Sequence, residues 1–419
     1  MSGQMQEKAV VVGIGLKTDS FVELKDSLAE LEELVYAAGG EVVGTLAQTL
    51  PQYNPATLLG TGKVSEIKDL VETSGANLVV IDHHLSGVQG RNLEKEIGVR
   101  VLDRTQLILD IFAQRAKTYE GKLQVELAQM LDQLPRMVGA WQGSLSRQGG
   151  GIGTRGPGET ALEIDRRRIH DRIKQLRKKL ESVTKSRAQY RAARQRFEIP
   201  SFALIGYTNS GKSTLLNRLC NAKVLTKDQP FATLDPATRK VYLPEIKNAV
   251  VTDTVGFIRR LPTELIEAFK ATLEESLDAD VLIHVVDLSS DQMQAQMNVV
   301  HTLIKEFGWE SKPIIHVFNK SDKAPFERQF QIKEHPRVCM SALTGEGIEK
   351  LRTLMIEQIR KLHTDTQLFF PRSDEHRIYE LGRESMINRT EPNSQGTVCF
   401  AKLTPDQLHK WQGFLVKAR

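Results

Sequence analysis

Apolar positions in the first hundred residues switch between short continuous runs and helical spacing. Ala9–Val12, Val42–Leu46, Leu78–Ile81 and Val99–Leu102 are apolar runs of strand length. Phe21–Ala38 and Val64–Glu72 carry apolar residues three and four apart, and Gly39-Gly40 closes the first of these helices. The alternation predicts a small N-terminal α/β domain. Near Gly121 the pattern changes. Leu123, Leu127, Met130, Leu131 and Leu134 mark an amphipathic helix expected to end near Pro135. A stretch with eight glycines in its 21 residues, 139–159, follows. Glycine at that density gives no core and is costly to order, which fits a flexible linker, but Trp141, Arg147, Ile152 and Arg155 favour a loop that orders on a partner. Beyond it Ile169, Ile173, Leu176, Leu180, Val183 and Tyr190 keep a coiled-coil-like seam. Two helices joined by such a loop should pair antiparallel, with the loop at the tip. Farther on, Phe202–Ile205, Ala249–Thr252 and Ile314–Phe318 read as strands. Ile378–Arg383, Thr397–Ala401 and Pro405–Phe414 suggest a small α/β appendage.

Composition narrows the class. The chain of 419 residues is 40% hydrophobic and 26% charged, as expected for a globular protein of several domains. It has no apolar run of about 18 residues, and its first 30 residues lack the layout of a secretory signal. Cys220, Cys339 and Cys399 are too few and too scattered for a disulfide framework, which suits a reducing cytoplasm. Charge is unevenly placed. Residues 165–196 hold thirteen Lys or Arg against three Asp or Glu, a local net charge of +10 within a whole-chain net of +5. A solvated helix face is the plainer explanation. An imbalance this large instead favours a polyanion such as RNA, with Arg147, Arg155, Arg166, Arg167 and Arg168 as candidate contacts.

The most specific chemistry starts at residue 206. Strand Phe202–Ile205 leads into Gly206-Tyr207-Thr208-Asn209-Ser210-Gly211-Lys212-Ser213, and Thr214 starts a helix. This is a phosphate loop in its expected strand–loop–helix setting. Its amides and the helix N-terminus face phosphate, Lys212 reaches the β- and γ-phosphates, and Ser213 ligates Mg²⁺. Asn319-Lys320-Ser321-Asp322 follows a strand; the Asp322 carboxylate pairs with both N–H donors of guanine and rejects adenine. Asn319 should tie this loop to the phosphate loop, while the Lys320 stem covers a base face. Ser341-Ala342-Leu343 supplies backbone N–H to the guanine oxygen. Between them lie Asp253-Thr254-Val255-Gly256, where Asp253 holds a Mg²⁺-bound water and the Gly256 N–H meets the γ-phosphate. Thr233, in Phe231-Ala232-Thr233-Leu234-Asp235, is expected to close on Mg²⁺. These residues predict binding of GTP and GDP. Phe257 occupies the place where a glutamine orients water in Ras-like proteins, so intrinsic hydrolysis should be slow and no catalytic side chain is assigned. Elsewhere, Gly13-x-Gly15 and Gly60–Lys63 complete no phosphate pattern, and His83-His84 reads as loop or packing rather than metal site.

These motifs resemble the HflX family of GTPases, in the Obg–HflX branch of translation-associated P-loop GTPases. The resemblance spans residues 1 to about 360. Its most specific part is Leu145–Thr160 with Leu162–Arg168, supported by Gly206–Asn209, Phe231–Asp235 and Asp253–Phe257. It implies a factor that binds the large ribosomal subunit and, with GTP, splits stalled or idle ribosomes, notably after heat stress, its glycine-rich tip near the peptidyl-transferase centre. Asn209 resembles the residue of potassium-assisted GTPases, so K⁺ joins Mg²⁺ as an implied cofactor. An ATP-dependent RNA-remodelling activity of the N-terminal domain is also within the family's range. Large-subunit assembly and regulation of a protein partner are the competing functions, and a monomer suffices. The expected architecture is a multidomain α/β chain. An N-terminal α/β domain (1–120) precedes an antiparallel two-helix arm (121–197) with a tip loop (139–159) and basic helix (160–197). A P-loop GTPase domain (198–363), mostly parallel with helices on both faces, and an α/β appendage (364–419) complete it.

Overall fold

The computed structural model describes residues 7–18, 20–145, 157–196, 199–220, 230–231, 234, 237–244, 246–260, 262, 264–269, 279–362, 364–403 and 405–416. Its chain forms two compact units. The first joins residues 1–184 with 227–235 and 258–272, and the second joins 185–226 with 236–257 and 273–419.

In the first unit β1 (Lys8–Leu16), β2 (Glu41–Leu50), β3 (Leu78–Ile81) and β4 (Arg100–Asp103) form a parallel sheet in the order β2-β1-β3-β4. Crossovers are made by α1 (Phe21–Ala38), α2 (Thr61–Ser74) and α3 (Gly87–Ile97), as parallel neighbours require. Val10, Val12, Val79 and Ile81 of the sheet bury against Val64, Ile67 and Val71 of α2 and Leu93 and Ile97 of α3. Gly39 ends α1 at φ +93°, a left-handed cap that satisfies the last carbonyls through Tyr36 and Val35. Two capping boxes, Ser86 with Gln89 and Asp103 with Gln106, start α3 and α4 (Arg104–Arg115).

The helix from Gly121 does not stop at Pro135: α5 runs Tyr119–Leu145 with Pro135 inside it. Tertiary contacts offset the proline. Arg136 bonds Asp132 and reaches Asp103 at 2.6 Å, and a Cβ on Gly87 would lie 2.5 Å from the Arg136 carbonyl. Helix α6 spans Pro157–Arg196, so it starts earlier than the expected basic helix at 160. Both ends of the expected loop 139–159 therefore belong to helices. Of the predicted seam, Ile173, Leu176 and Leu180 are buried, Ile169 and Val183 are half-buried, and Arg172 pairs with Glu126 of α5. Tyr190 lies outside the residues whose side chains are described.

A buried charge cluster sits at the carboxyl ends of β3 and β4. Arg104 bonds Asp82 and Glu30, each at 2.8 Å, and donates to the Arg259 carbonyl at 3.3 Å. Arg260, at φ +52°, lies 3.8 Å from the same Asp82. In the same unit, the buried Phe112 of α4 meets the rings of Phe231 and Phe269 edge-on at 4.6 and 5.3 Å.

The second unit is built on a six-stranded sheet. Its strands are β5 (Ser201–Gly206), β6 (Ala237–Leu243), β7 (Lys247–Asp253), β8 (Val281–Asp287), β9 (Ile314–Asn319) and β10 (Arg337–Cys339), ordered β10-β9-β8-β5-β7-β6. All neighbours are parallel except β6 with β7. Strand alternation feeds two cores. Phe202, Leu204, Ile283 and Val285 pack with α7 (Lys212–Leu219) and α9 (Ile348–Leu362). Ala203, Ile205 and Leu282 pack on the other face with α8 (Met293–Glu306) and Trp309. The expected mostly parallel sheet with helices on both faces is thus observed.

The C-terminal segment forms an antiparallel sheet in the order β11-β13-β12, from β11 (Thr364–Pro371), β12 (Met386–Pro392) and β13 (Gly396–Leu403). With α10 (His376–Glu384) and α11 (Pro405–Lys410), it encloses Leu368, Phe370, Leu381, Cys399 and Trp411.

Candidate nucleotide site

Strand β5 delivers the phosphate loop to the carboxyl edge of the six-stranded sheet. Gly206 takes φ +150°, and a Cβ there would come 2.2 Å from the Val285 carbonyl of β8. Asn209 (φ +58°) and Gly211 (φ +94°) turn the chain into α7. Only glycine fits at 211, since a Cβ would meet the Asn319 amide nitrogen at 2.2 Å. Lys212 is buried, and its ammonium donates to the carbonyls of Gly206 and Tyr207 at 3.0 and 2.8 Å. Burial lowers its pKa to about 8, opposed by the charge of Asp253. Ser213 donates to the Asp253 carboxylate at 2.6 Å. A hydroxyl and a carboxylate in contact beside a helix N-terminus are hard oxygen donors, the set Mg²⁺ prefers.

The segment after β7 is fixed by backbone as much as by side chain. The Thr254 hydroxyl donates to the Leu204 carbonyl at 2.6 Å, so it braces the sheet edge. A Cβ on Gly256 would sit 2.9 Å from Thr208 Cα and 3.1 Å from the Lys212 nitrogen, which keeps this position bare. Phe257 exchanges backbone bonds with the phosphate loop: its N–H donates to Gly206, and its carbonyl accepts from Thr208. Its ring is buried among Ala203, Ile205, Leu282 and Val300, where it positions no water.

Asn319 links the two halves of the site. Its amide donates to the Ser210 carbonyl and its oxygen accepts from the Ala342 N–H, both at 2.9 Å. Lys320, at φ +61°, pairs with Asp287 at 2.7 Å, which fixes the stem expected to cover the base. Asp322 is exposed, Ser341 is buried and Leu343 is exposed. Two supports were not singled out from the sequence. Asp287 anchors Lys320, and Arg218 of α7 holds the Ala342 and Leu343 carbonyls. A basic residue in the last turn of α7 was the available signal for Arg218.

The structure thus brings together residues 206–214, 253–256, 319–322 and 341–343 within the second unit. Phe231 and Leu234 are buried in the first unit, the Phe231 ring against Phe112. Ala232, Thr233 and Asp235 lie outside the described residues, as do Arg147 and Arg155. Arg166, Arg167 and Arg168 are exposed on α6.

Comparison with known proteins agrees along the chain. A family described as "GTP-binding GTPase N-terminal" matches residues 25–113, "GTP-binding GTPase Middle Region" matches 115–194, and "50S ribosome-binding GTPase" matches 201–320. GTPase HflX of Lacrimispora saccharolytica is 45% identical over 394 residues, 94% of this chain and 92% of its own. The chain belongs to the HflX family of GTPases. A second HflX relative, from Escherichia coli strain K12, is 45% identical over 357 residues, covering 84% of this chain and 83% of its own. Among solved structures, the crystal structure of SsGBP in complex with GDP covers 85% of this chain and 98% of its own at 26% identity, with a TM-score of 0.48. HflX membership makes the chain an enzyme of GTP hydrolysis. No described helix is long and apolar enough to cross a membrane.

Proposed function

We propose that this HflX GTPase binds the large ribosomal subunit and uses its GTP-bound state to dissociate stalled or idle ribosomes. The observation that carries the reading is the pairing of a guanine-nucleotide site with an exposed basic helix. Arg166, Arg167 and Arg168 stand in solvent on α6, and a segment of such charge density meets RNA phosphate more readily than an apolar surface. The description "50S ribosome-binding GTPase" of the matching family supports the same target.

In this reading the phosphate-loop amides and Lys212 cradle the β- and γ-phosphates. Asp322 and a backbone N–H of Ser341–Leu343 read guanine, and Arg218 and Asn319, which takes the Ala342 N–H, hold that reading edge in place. Ser213 would hold Mg²⁺, with Asp253 acting through a bound water and Thr233 closing on it; the ion supplies charge neutralisation at the phosphates. Asn209 is the residue at which K⁺ would be held. With Phe257 committed to the core, nothing at that position activates water, so turnover waits for the ribosome. Dissociation requires GTP to favour a state that opposes the bridges between subunits, since a nucleotide with equal affinity for both states shifts nothing.

The test combines two measurements. GTP turnover is followed with and without purified large subunits, and joined ribosomes are sedimented with a non-hydrolysable GTP analogue. A large rate increase together with free subunits is expected. Stimulation without splitting would overturn dissociation in favour of subunit assembly. An unchanged turnover, with no binding at low salt, would overturn the ribosomal target in favour of a protein partner.

A further inference from the structure

The parallel register of β8 and β9 sets His284 directly beside His316. On both strands this position faces the layer formed by α8, because Leu282 packs there and Ile283 and Val285 pack on the opposite side. His301 of α8 completes a ring of three imidazoles. Their centroids are 5.6 Å (His284–His301), 5.5 Å (His284–His316) and 6.2 Å (His301–His316) apart. One nitrogen from each lies within 4.8 Å of the other two.

Three side chains that carry polar atoms are unusual tenants of such a layer. His284 is 1% exposed and His316 is 8% exposed, yet the Nδ1 atom of each lacks a hydrogen-bond partner among the described residues. Leaving a buried polar nitrogen unsatisfied costs stability, and here two occur side by side. A phenylalanine or leucine would fill the same volume without that cost. We propose that His284, His301 and His316 form a binding site for one divalent transition-metal ion. The site is separate from the Mg²⁺ position at Ser213.

The chemistry selects the ion. Three neutral nitrogens without a carboxylate suit Zn²⁺, Co²⁺, Ni²⁺ or Cu²⁺ and are poor ligands for Mg²⁺. A tetrahedral ion with nitrogens at about 2.0–2.1 Å sets imidazole centroids roughly 5 Å apart. Reaching that draws the three rings together by about 0.5–1.2 Å. Burial and mutual proximity lower the pKa of His284 well below the ordinary range and that of His316 to about 4, so both imidazoles are neutral near pH 7, as metal ligation requires. Among the described residues Glu334 acts on His316 with a favourable charge, while His335 and Lys212 act against a cation. Three protein ligands leave a fourth position, which water fills, and His301, only partly buried, is the ligand nearest the solvent side.

The experiment is a Co²⁺ titration of the EDTA-treated, nucleotide-free full chain in excess Mg²⁺, which keeps the Ser213 position occupied. Visible absorption bands of four-coordinate cobalt are expected to saturate at one equivalent. In His301→Ala the affinity should fall at least tenfold, and His301→Gln serves if that variant folds poorly. Thermal unfolding supplies a second readout: Zn²⁺ should raise the Tm of the wild type and leave His301→Ala unmoved. A folded wild type without saturable bands, or bands of equal strength in His301→Ala, would overturn the site. GTP binding is measured in parallel and does not depend on the outcome.

Discussion

Replacing Arg104 by methionine tests the buried charge cluster of the first unit most directly. The substitution keeps the aliphatic stem and removes the guanidinium, which bonds Asp82 and Glu30 at 2.8 Å and the Arg259 carbonyl at 3.3 Å. Asp82 is fully buried, so its carboxylate would be left without its main counter-charge. Breaking one side of such a pair costs about 3–5 kcal/mol. Arg260 stands 3.8 Å from Asp82 and is more than half exposed, so it recovers only a small part of this loss. A net penalty of about 3 kcal/mol corresponds to roughly a hundredfold increase in the opening equilibrium. Hydrogen exchange read by mass spectrometry is the suitable assay, because it reports on each segment separately. Peptides covering residues 78–104 and 258–269 should exchange roughly a hundredfold faster, while those covering β8 should be unchanged. The double variant Arg104→Met with Asp82→Leu should recover most of the protection, since an apolar pair of similar volume is often neutral or better. If Arg104→Met alone alters exchange by less than about threefold, the cluster is a set of contacts without energetic weight and the reasoning fails.

Three further outcomes follow from the nucleotide site and the arm. Arg218→Ala frees the Ala342–Leu343 carbonyls and should weaken GDP and GTP about ten- to hundredfold by fluorescent-nucleotide titration, the worth of one hydrogen bond from a charged donor. Lys212 has a pKa of about 8 before nucleotide binds, and a phosphate beside it raises that value. The complex therefore holds the extra proton above pH 8. Affinity should be flat below pH 7, fall by up to tenfold per unit above 8, and show proton uptake by calorimetry in buffers of different ionisation heat. Changing Arg166, Arg167 and Arg168 to alanine should leave GTP affinity intact and lower the salt slope of large-subunit binding by about two, read by filter binding across a salt series. An unaltered slope would remove the arm from the RNA interface.

The parts of the fold that announced themselves were those whose chemistry is local. Gly206–Ser213 reads as a phosphate loop because every residue in it acts within a few positions of its neighbours, and the parallel sheet followed from strands alternating with helices. Helix α4 was passed over although Asp103 and Gln106 spell out its capping box. Its run Leu107, Ile108, Leu109, Ile111 and Phe112 is buried on nearly all sides, so it lacks the one-sided spacing that marks a surface helix. The continuation of α5 past Pro135 depends on Arg136 reaching Asp103, 33 residues away. Arg104 with the Arg259 carbonyl, and Arg260 with Asp82, span 155 and 178 residues of sequence, beyond any periodic signal. Strand β11 lies at the sheet's edge, paired along its length with β13, so its short alternating run carried little weight alone. His284 beside His316 was hidden for the same reason, since the register that joins them exists only in the sheet.

Asn319 has a consequence for fidelity. One amide group holds Ser210 of the phosphate loop at one end and Ala342, in the loop proposed to read the base, at the other. If Ser341–Leu343 reads the base as proposed, a wrong base that displaced Ala342 would disturb Ser210 through this one amide. Adenine nucleotides would then be penalised twice, once for the mismatch at the ring and again for a loosened hold on the phosphates they share with GTP. Discrimination would in this way be amplified by the part of the ligand that carries no information about the base.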